Sequence, residues 1–86
     1  MEVSFSGEYI TMMTLQEDKF GVISTITAML AASEVNVAAM RLFRSGRGKL
    51  SVMVLELDQM PTKGITSAIE QLPAVKTTRV VPALVF

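Results

Sequence analysis

Residues 9–30 read YITMMTLQEDKFGVISTITAML, and this stretch contains a strand, a turn and a helix. Tyr9 to Leu15 places apolar side chains on both faces of an extended segment, which predicts a central strand. Asp18 is a candidate helix N-cap. Apolar residues then recur at helical spacing, at Val22, Ile23, Ile26, Met29 and Leu30. The stretch therefore predicts a strand that runs directly into a helix.

The remainder of the chain adds three strands and a second helix. Val37 to Arg44 and Leu50 to Asp58 are predicted strands, and residues 45–48 form the turn of a hairpin because its two glycines tolerate positive φ. Pro61 to Leu72 is a predicted helix that the following proline ends, and Val75 to Val81 is the last strand. The order β-α-β-β-α-β predicts an α+β, ferredoxin-like sandwich: a four-stranded antiparallel sheet with both helices on one face.

Size and composition limit the possible functions. The chain has 86 residues, which predicts a single domain spanning 1–86, with residues 1–8 as an N-terminal extension or linker. Eight basic residues balance eight acidic ones, so no net field attracts nucleic acid or an anionic membrane. Cysteine and histidine are both absent, which excludes thiolate chemistry, imidazole bases and disulfides. We therefore predict no catalytic residue and no metal site, and a start that lacks a secretory pattern predicts a cytoplasmic protein.

A second apolar surface is predicted from the same pattern. Neighbouring residues on a strand face opposite ways, so Met12 and Met13 cannot both face the helices. The back of the first helix carries no charge between Lys19 and Glu34. Both features favour burial against a partner, most simply a second copy of the chain. The alternative is a small protein whose surface is merely apolar.

The turn between the first strand and the first helix is the main candidate site. Free N–H groups and the positive end of the helix dipole favour a carboxylate at the start of a helix, so Gln16, Asp18, Gly21, Val22 and Ile23 are candidate ligand contacts. The competing interpretation is structural, because Asp18 can serve only as a cap and Gly21 only as a site of close packing. Spacing alone favours the structural interpretation.

A second candidate segment, Asn36-Val37-Ala38, lies where the first helix returns to the sheet. The amide of Asn36 offers a donor and an acceptor to a ligand, but asparagine is also common in left-handed turns after helices. The basic residues Arg41, Arg44, Arg47 and Lys49 flank a strand-to-strand hairpin, which excludes a phosphate loop of the kind that opens a helix. The seven methionines follow the strand and helix periods and are interpreted as core.

Three segments resemble the ACT domains, a family of small amino-acid-sensing modules attached to metabolic enzymes. They are DKFGVI at 18–23, VNVAAM at 35–40 and LSVMVLELD at 50–58, and the resemblance spans Tyr9 to Val81. Within the family, FSGEY at 5–9 and MRLFR at 40–44 are most similar to the ACT domain of the β subunit of iron–sulfur L-serine dehydratases. Phe20 departs from the family pattern, which usually has proline there.

The resemblance implies a regulatory role and a site shared by two domains. Two domains would pair through the edge of the second strand and the first helix, with a small amino acid such as L-serine near the interface. Gln16, Asp18 and Gly21 to Ile23 would line one side of the ligand, and Asn36 to Ala38 of the neighbouring domain the other. The resemblance also implies a catalytic subunit or domain that holds a [4Fe–4S] cluster, because this chain has no cysteine for one.

Other classes share this order of elements. An acylphosphatase-like enzyme needs an arginine loop close to an asparagine, and an RNA-recognition module needs aromatic residues clustered on the central strands. Neither pattern is present in the sequence, and a metal chaperone of this fold would need a cysteine pair. A dimerisation module without a ligand stays open as the alternative to the amino-acid sensor.

Overall fold

A computed structural model describes residues 9–45 and 49–82. The elements are β1 (Ile10–Glu17), α1 (Val22–Ala32), β2 (Val37–Arg44), β3 (Leu50–Leu57), α2 (Lys63–Glu70) and β4 (Val75–Val81). The sheet is antiparallel in the order β2-β3-β1-β4. The predicted ferredoxin-like architecture is thereby confirmed. The predicted extension at residues 1–8 and the tip of the hairpin, Gly46 to Gly48, lie outside the described residues.

The hydrophobic core lies between the sheet and the two helices. In the central strand pair, Met12 is opposite Leu55 and Thr14 is opposite Met53. Ile26 and Leu30 of α1 cover this face at zero exposure, as Ile69 of α2 does. The core is formed by one contiguous set of buried side chains: Met12, Ile26, Leu30, Val35, Met53, Leu55, Leu57, Ile69 and Val75.

The other face of the sheet carries no helix among the described residues, and it is also apolar at its centre. Met13 is opposite Val54, and Leu15 is opposite Val52, on the two central strands. Met13 remains 38% exposed. Arg79 of β4 flanks this apolar centre next to Met13. The prediction that apolar side chains occupy both faces of the sheet is therefore confirmed.

Two element ends differ from the prediction at the candidate site. β1 continues to Glu17, so Gln16 belongs to the strand and not to the turn. α1 begins at Val22 after Gly21, whose φ of 83° lies in the left-handed region and whose position provides no side-chain cap. The prediction that Asp18 caps this helix is wrong, because the chain turns for three residues between Asp18 and the first helical residue.

Helix α1 ends without a glycine or asparagine in the left-handed position that follows it. Glu34 takes the left-handed conformation there, with φ 61°. Its N–H donates to the carbonyl of Ala31, and the N–H of Val35 donates to the carbonyl of Leu30, which is a Schellman arrangement. Asn36 is therefore not the left-handed residue that ends this helix. By contrast, α2 has a side-chain cap, because Oγ1 of Thr62 accepts from the N–H of Ile65 at 3.3 Å; the helix thus begins at Lys63 and not at the predicted Pro61.

Candidate ligand site at the β1–α1 turn

The turn from Glu17 to Gly21 is held to the sheet from both sides. The N–H of Glu17 donates to the carbonyl of Ala74 at 2.7 Å, and the N–H of Asp18 donates to the carbonyl of Lys49 at 2.6 Å. The turn thus lies between the start of β3 and the start of β4. Since both bonds are made by the backbone, they fix the position at which α1 can begin.

The first turn of α1 has unused hydrogen-bond donors. The N–H of Val22 reaches the carbonyl of Lys19 only at 3.4 Å, and no bond within residues 9–45 and 49–82 uses the N–H of Ile23 or Ser24. The helix has no acidic residue in this turn to balance the positive end of its dipole. These unused donors are compatible with the carboxylate predicted at Gly21 to Ile23, which stays a prediction.

Asp18 links this turn to the edge of the sheet. Its Oδ2 accepts a hydrogen bond from Nε of Arg44 at 2.8 Å, and the Asp18 side chain is only 12% exposed. Arg44 is the last residue of β2, which is an edge strand. The carboxylate of Asp18 is therefore directed towards the β2 side of the domain, where it anchors one of the hairpin arginines.

Gln16 lies beneath the turn and is almost completely buried. Its side chain is bonded to Thr14, and its Nε2 donates to Oγ of Ser51 at 3.3 Å. All three residues are at most 3% exposed and face the helices. Within one protomer, Gln16 therefore supports the end of β1 and has no exposed amide to offer a ligand.

The second predicted segment begins β2 at the other end of the sheet. The N–H of Asn36 donates to Oε1 of Gln59 at 2.7 Å, and its Nδ2 donates to Oδ2 of Asp58 at 2.6 Å. Ala31, Glu34 and Gln59 surround Asn36 in a shallow cavity of about 280 Å³. Val37 is half-buried, whereas Asn36 and Ala38 are exposed.

Asp18 and Asn36 lie at opposite ends of the same domain. Ile10 at the start of β1 is opposite Leu57, next to Asp58, whereas Glu17 at its end is opposite Leu50. Eight strand residues at about 3.3 Å each separate the two ends by roughly 23 Å. No small molecule spans that distance, so one protomer does not bring the two predicted segments together.

A cavity of about 420 Å³ opens on the β4 side of the same turn, away from Asp18 and Arg44. It lies between the start of α1 and the chain that links α2 to β4. Its walls are mainly apolar, and they include Phe20, Val22, Thr25, Leu72, Pro73 and Ala74. Sequence reasoning missed this cavity because it treated Leu72 and Pro73 only as the end of a helix.

Glu17 is the charged centre of this side of the turn. Its carboxylate contacts Nζ of Lys19 at 2.6 Å and Nζ of Lys76 at 3.1 Å. Hydrogen bonds from Lys19 and then Lys76, together with their charges, hold the pKa of Glu17 below its usual range. Two cations on one carboxylate leave one excess positive charge beside the cavity.

The described residues contain no cluster of three or more acidic, cysteine or histidine side chains that could hold a metal ion. Neither of their helices is long and apolar enough to cross a bilayer. The turn instead provides N–H donors and charged side chains that could contact a small ligand.

Sequence comparison identifies the family and several relatives of this chain. The ACT domain family model matches residues 9–74. The chain is 32% identical over 72 residues to the probable L-serine dehydratase β chain of Bacillus subtilis, covering 84% of this chain and 33% of that protein. It is 28% identical over 67 residues to the L-serine dehydratase β chain of Peptoniphilus asaccharolyticus, covering 78% of this chain and 30% of that protein.

A third relative and a solved structure are also similar to this chain. D-3-phosphoglycerate dehydrogenase 3 of Arabidopsis thaliana is 32% identical over 76 residues, covering 88% of this chain and 13% of that protein. The ACT domain from the GTP pyrophosphokinase of Chlorobium tepidum superposes with a TM-score of 0.67 at 16% identity, covering 85% of this chain and 97% of that one. The chain belongs to the ACT domain family, a class of regulatory and non-catalytic domains. It spans about a third of the length of the dehydratase β chains that it matches.

Proposed function

We propose that this chain is the regulatory domain of an L-serine dehydratase and binds L-serine, or a closely similar amino acid, between two copies of itself. The similarity to two dehydratase β chains supports the choice of enzyme. Since this chain corresponds to a third of those proteins, conversion of serine to pyruvate and ammonia belongs to other segments or subunits.

The placement of Asp18 and Asn36 at opposite ends of β2 is the observation that carries this proposal. β2 is an edge strand whose outer side is unpaired within the sheet. A second copy added antiparallel along this edge would bring its own Asn36 beside Arg44 and Asp18. Both predicted segments would then form one site, and the two-fold symmetry would create it twice.

The surface of α1 supports the same pairing. The helix packs over the β2 side of the sheet, and Ser24, Ala28 and Ala31 are exposed on it. These side chains are small and uncharged, so two such helices can approach closely without burying an unpaired charge. Pairing along β2 would cover this helix surface and the edge strand together.

The ligand would use complementary groups at this interface. Its carboxylate would accept hydrogen bonds from the N–H groups of the first turn of α1, near Gly21 to Ile23. Its ammonium group would lie near Asp18 and near the amide oxygen of Asn36 in the neighbouring copy, because Nδ2 of Asn36 is already bonded to Asp58. Val37 and Ala38 of the neighbouring copy would complete the wall.

The enzyme context adds two further parts of the proposal. A [4Fe–4S] cluster does not fit this chain, which has no cysteine, and would be held by the catalytic partner. A cytoplasmic location is the second part of the proposal, and it rests on the proposed link to a metabolic enzyme.

Calorimetric titration with L-serine, D-serine, L-alanine and glycine, combined with sedimentation velocity, tests the proposal. We expect saturable binding of L-serine at one molecule per protomer and a shift from monomer to dimer. A monomer at all concentrations, with or without amino acids, would contradict the shared site.

A ligand-free dimerisation module is the second candidate. It is favoured by the bond between Asp18 and Arg44, which already satisfies an oxygen of the carboxylate that the ligand would need. A stable dimer that binds none of the four amino acids would support this alternative and exclude the sensor.

A further inference from the structure

We propose a second ligand site, beyond the shared site proposed above, in the cavity on the β4 side of the β1–α1 turn. Its ligand is a small monocarboxylate that carries an apolar group of the size of a phenyl or branched alkyl side chain. The whole site lies within one protomer, so it does not depend on pairing along β2.

The size and walls of the cavity select an apolar group. Its volume of about 420 Å³ lies within the range of small-molecule pockets, about 300–1,000 Å³. Val22, Leu72 and Pro73 provide aliphatic walls. Serine carries no apolar group that would fill these walls, whereas a phenyl or isobutyl group would.

Phe20 lies at the rim of the cavity and is fully exposed. An aromatic ring in water is unfavourable, and the ring covers none of the hydrophobic core in this state. A ligand in the cavity gives the ring an apolar surface to pack against. Phe20 is therefore the residue whose environment changes most when the cavity is filled.

The charges beside the cavity select a carboxylate. Glu17 and Lys19 both line the cavity, and Lys76 contacts Glu17 from outside the lining at 3.1 Å. The two lysines therefore share only one negative charge, that of Glu17. A monoanion brings this group of three side chains to zero net charge. An additional cation would instead meet an excess positive charge, so a ligand with only an ammonium group is disfavoured.

NMR titration of the full chain with four probes tests this site: 3-phenylpropionate, L-phenylalanine, phenethylamine and L-serine. The first two carry the required carboxylate and phenyl group, and comparing them shows whether an amino group contributes. We expect both to shift the amide signals of Leu72 and Ala74 and to leave those of Asn36 and Ala38 unchanged. Phenethylamine and L-serine are expected to leave Leu72 and Ala74 unchanged.

Substitutions of Phe20 and Lys19 test whether these side chains contact the ligand. Phe20→Ala and Lys19→Gln should each weaken binding of 3-phenylpropionate about tenfold, because each removes one of its principal contacts. Met60→Ala and Lys63→Gln are the matched controls and should leave the affinity unchanged. Met60 lies on the connection to α2 and Lys63 is the first residue of that helix, both at the other end of the sheet. Circular dichroism of each variant checks that the fold is retained.

The outcomes separate this site from the shared one. If 3-phenylpropionate shifts neither Leu72 nor Ala74, or if phenethylamine binds equally well, the second site is wrong. L-serine that shifts Asn36 and Ala38 in that case leaves the shared site intact. Binding of 3-phenylpropionate without any effect of serine would support the second site and contradict the shared one.

Discussion

Arg44 donates from Nε to Oδ2 of Asp18 at 2.8 Å and thereby ties the last residue of the edge strand to the turn that precedes α1. The pair joins two surfaces that the proposed function needs in one place: the outer edge of β2 and the start of the helix. Since Arg44 is half exposed, the bond alone adds little to folding stability. Its effect is on the position of the Asp18 carboxylate.

Replacing Gly21 tests the left-handed turn. Gly21→Ala should lower the free energy of unfolding by about 1–2 kcal/mol, because alanine is strained at positive φ. Apart from its two chain neighbours, no residue of the described ranges lies within 4 Å of an added Cβ, so the cost is conformational and not steric. Gly64→Ala inside α2 is the matched control and should raise stability by about 0.5–1 kcal/mol. Urea unfolding measures both, and equal effects of the two substitutions would contradict the assignment.

The ion pairs of Glu17 predict a pH dependence. Because the folded-state pKa of Glu17 lies below its unfolded value, its stabilising contribution is present above the ordinary glutamate range and is lost as the pH falls through the lowered pKa. The difference in unfolding free energy between the wild type and Glu17→Gln should therefore decrease from pH 6 towards pH 3. Glu34→Gln, at an exposed position beyond the end of α1, is the control. A difference that stays constant with pH would exclude this role.

Asn36 has one observed role, the hydrogen bond to Asp58, and one proposed role in ligand binding, and comparison with Asp58 separates the two. Asn36→Ala removes both the intraprotomer hydrogen bond and the proposed ligand contact, whereas Asp58→Ala removes only the hydrogen bond. Both variants should lose about 0.5–1.5 kcal/mol of stability. Only Asn36→Ala should also weaken L-serine binding, by about 1–3 kcal/mol. Calorimetry that finds equal affinity for the two variants would remove Asn36 from the site.

Ala31 tests whether α1 lies at the interface between copies. Ala31→Glu places a charge on the exposed side of the helix and should weaken self-association at least tenfold, because pairing would bury the charge without a partner. Ser67→Glu, on the exposed side of α2, is the control and should associate as the wild type does. Sedimentation equilibrium of both variants measures the effect. Unchanged association of Ala31→Glu places the interface elsewhere.

The fold was predictable because hydrophobic periodicity specifies each element locally. Burial alternates along β3. On the predicted apolar face of α1, Ile26 and Leu30 are fully buried and the other apolar residues are partly buried. Helix boundaries were less predictable at the turn. Asp18 has the side chain of a cap, but the backbone bond from its N–H to Lys49 keeps it at the end of the sheet.

The candidate site was only partly predictable, since it depends on contacts between segments far apart in sequence. Nothing local distinguishes Gln16 as buried, because that follows from its register opposite Ser51 on β3. The Arg44–Asp18 and Lys76–Glu17 pairs likewise join residues that only the folded sheet brings together. The local sequence shows which side chains can form hydrogen bonds, whereas the fold determines the partners to which they bond.

The separation of Asp18 and Asn36 along the sheet has a consequence for dimers that contain two different variants of the chain. In the proposed two-fold pair, each shared site would take Asp18 from one chain and Asn36 from the other. When an Asp18→Asn chain pairs with an Asn36→Ala chain, both altered residues would fall in the same site and the other site would be wholly wild type. Each mixed pair should therefore bind at half the stoichiometry of the wild-type dimer, although neither variant binds well on its own, which is complementation between subunits.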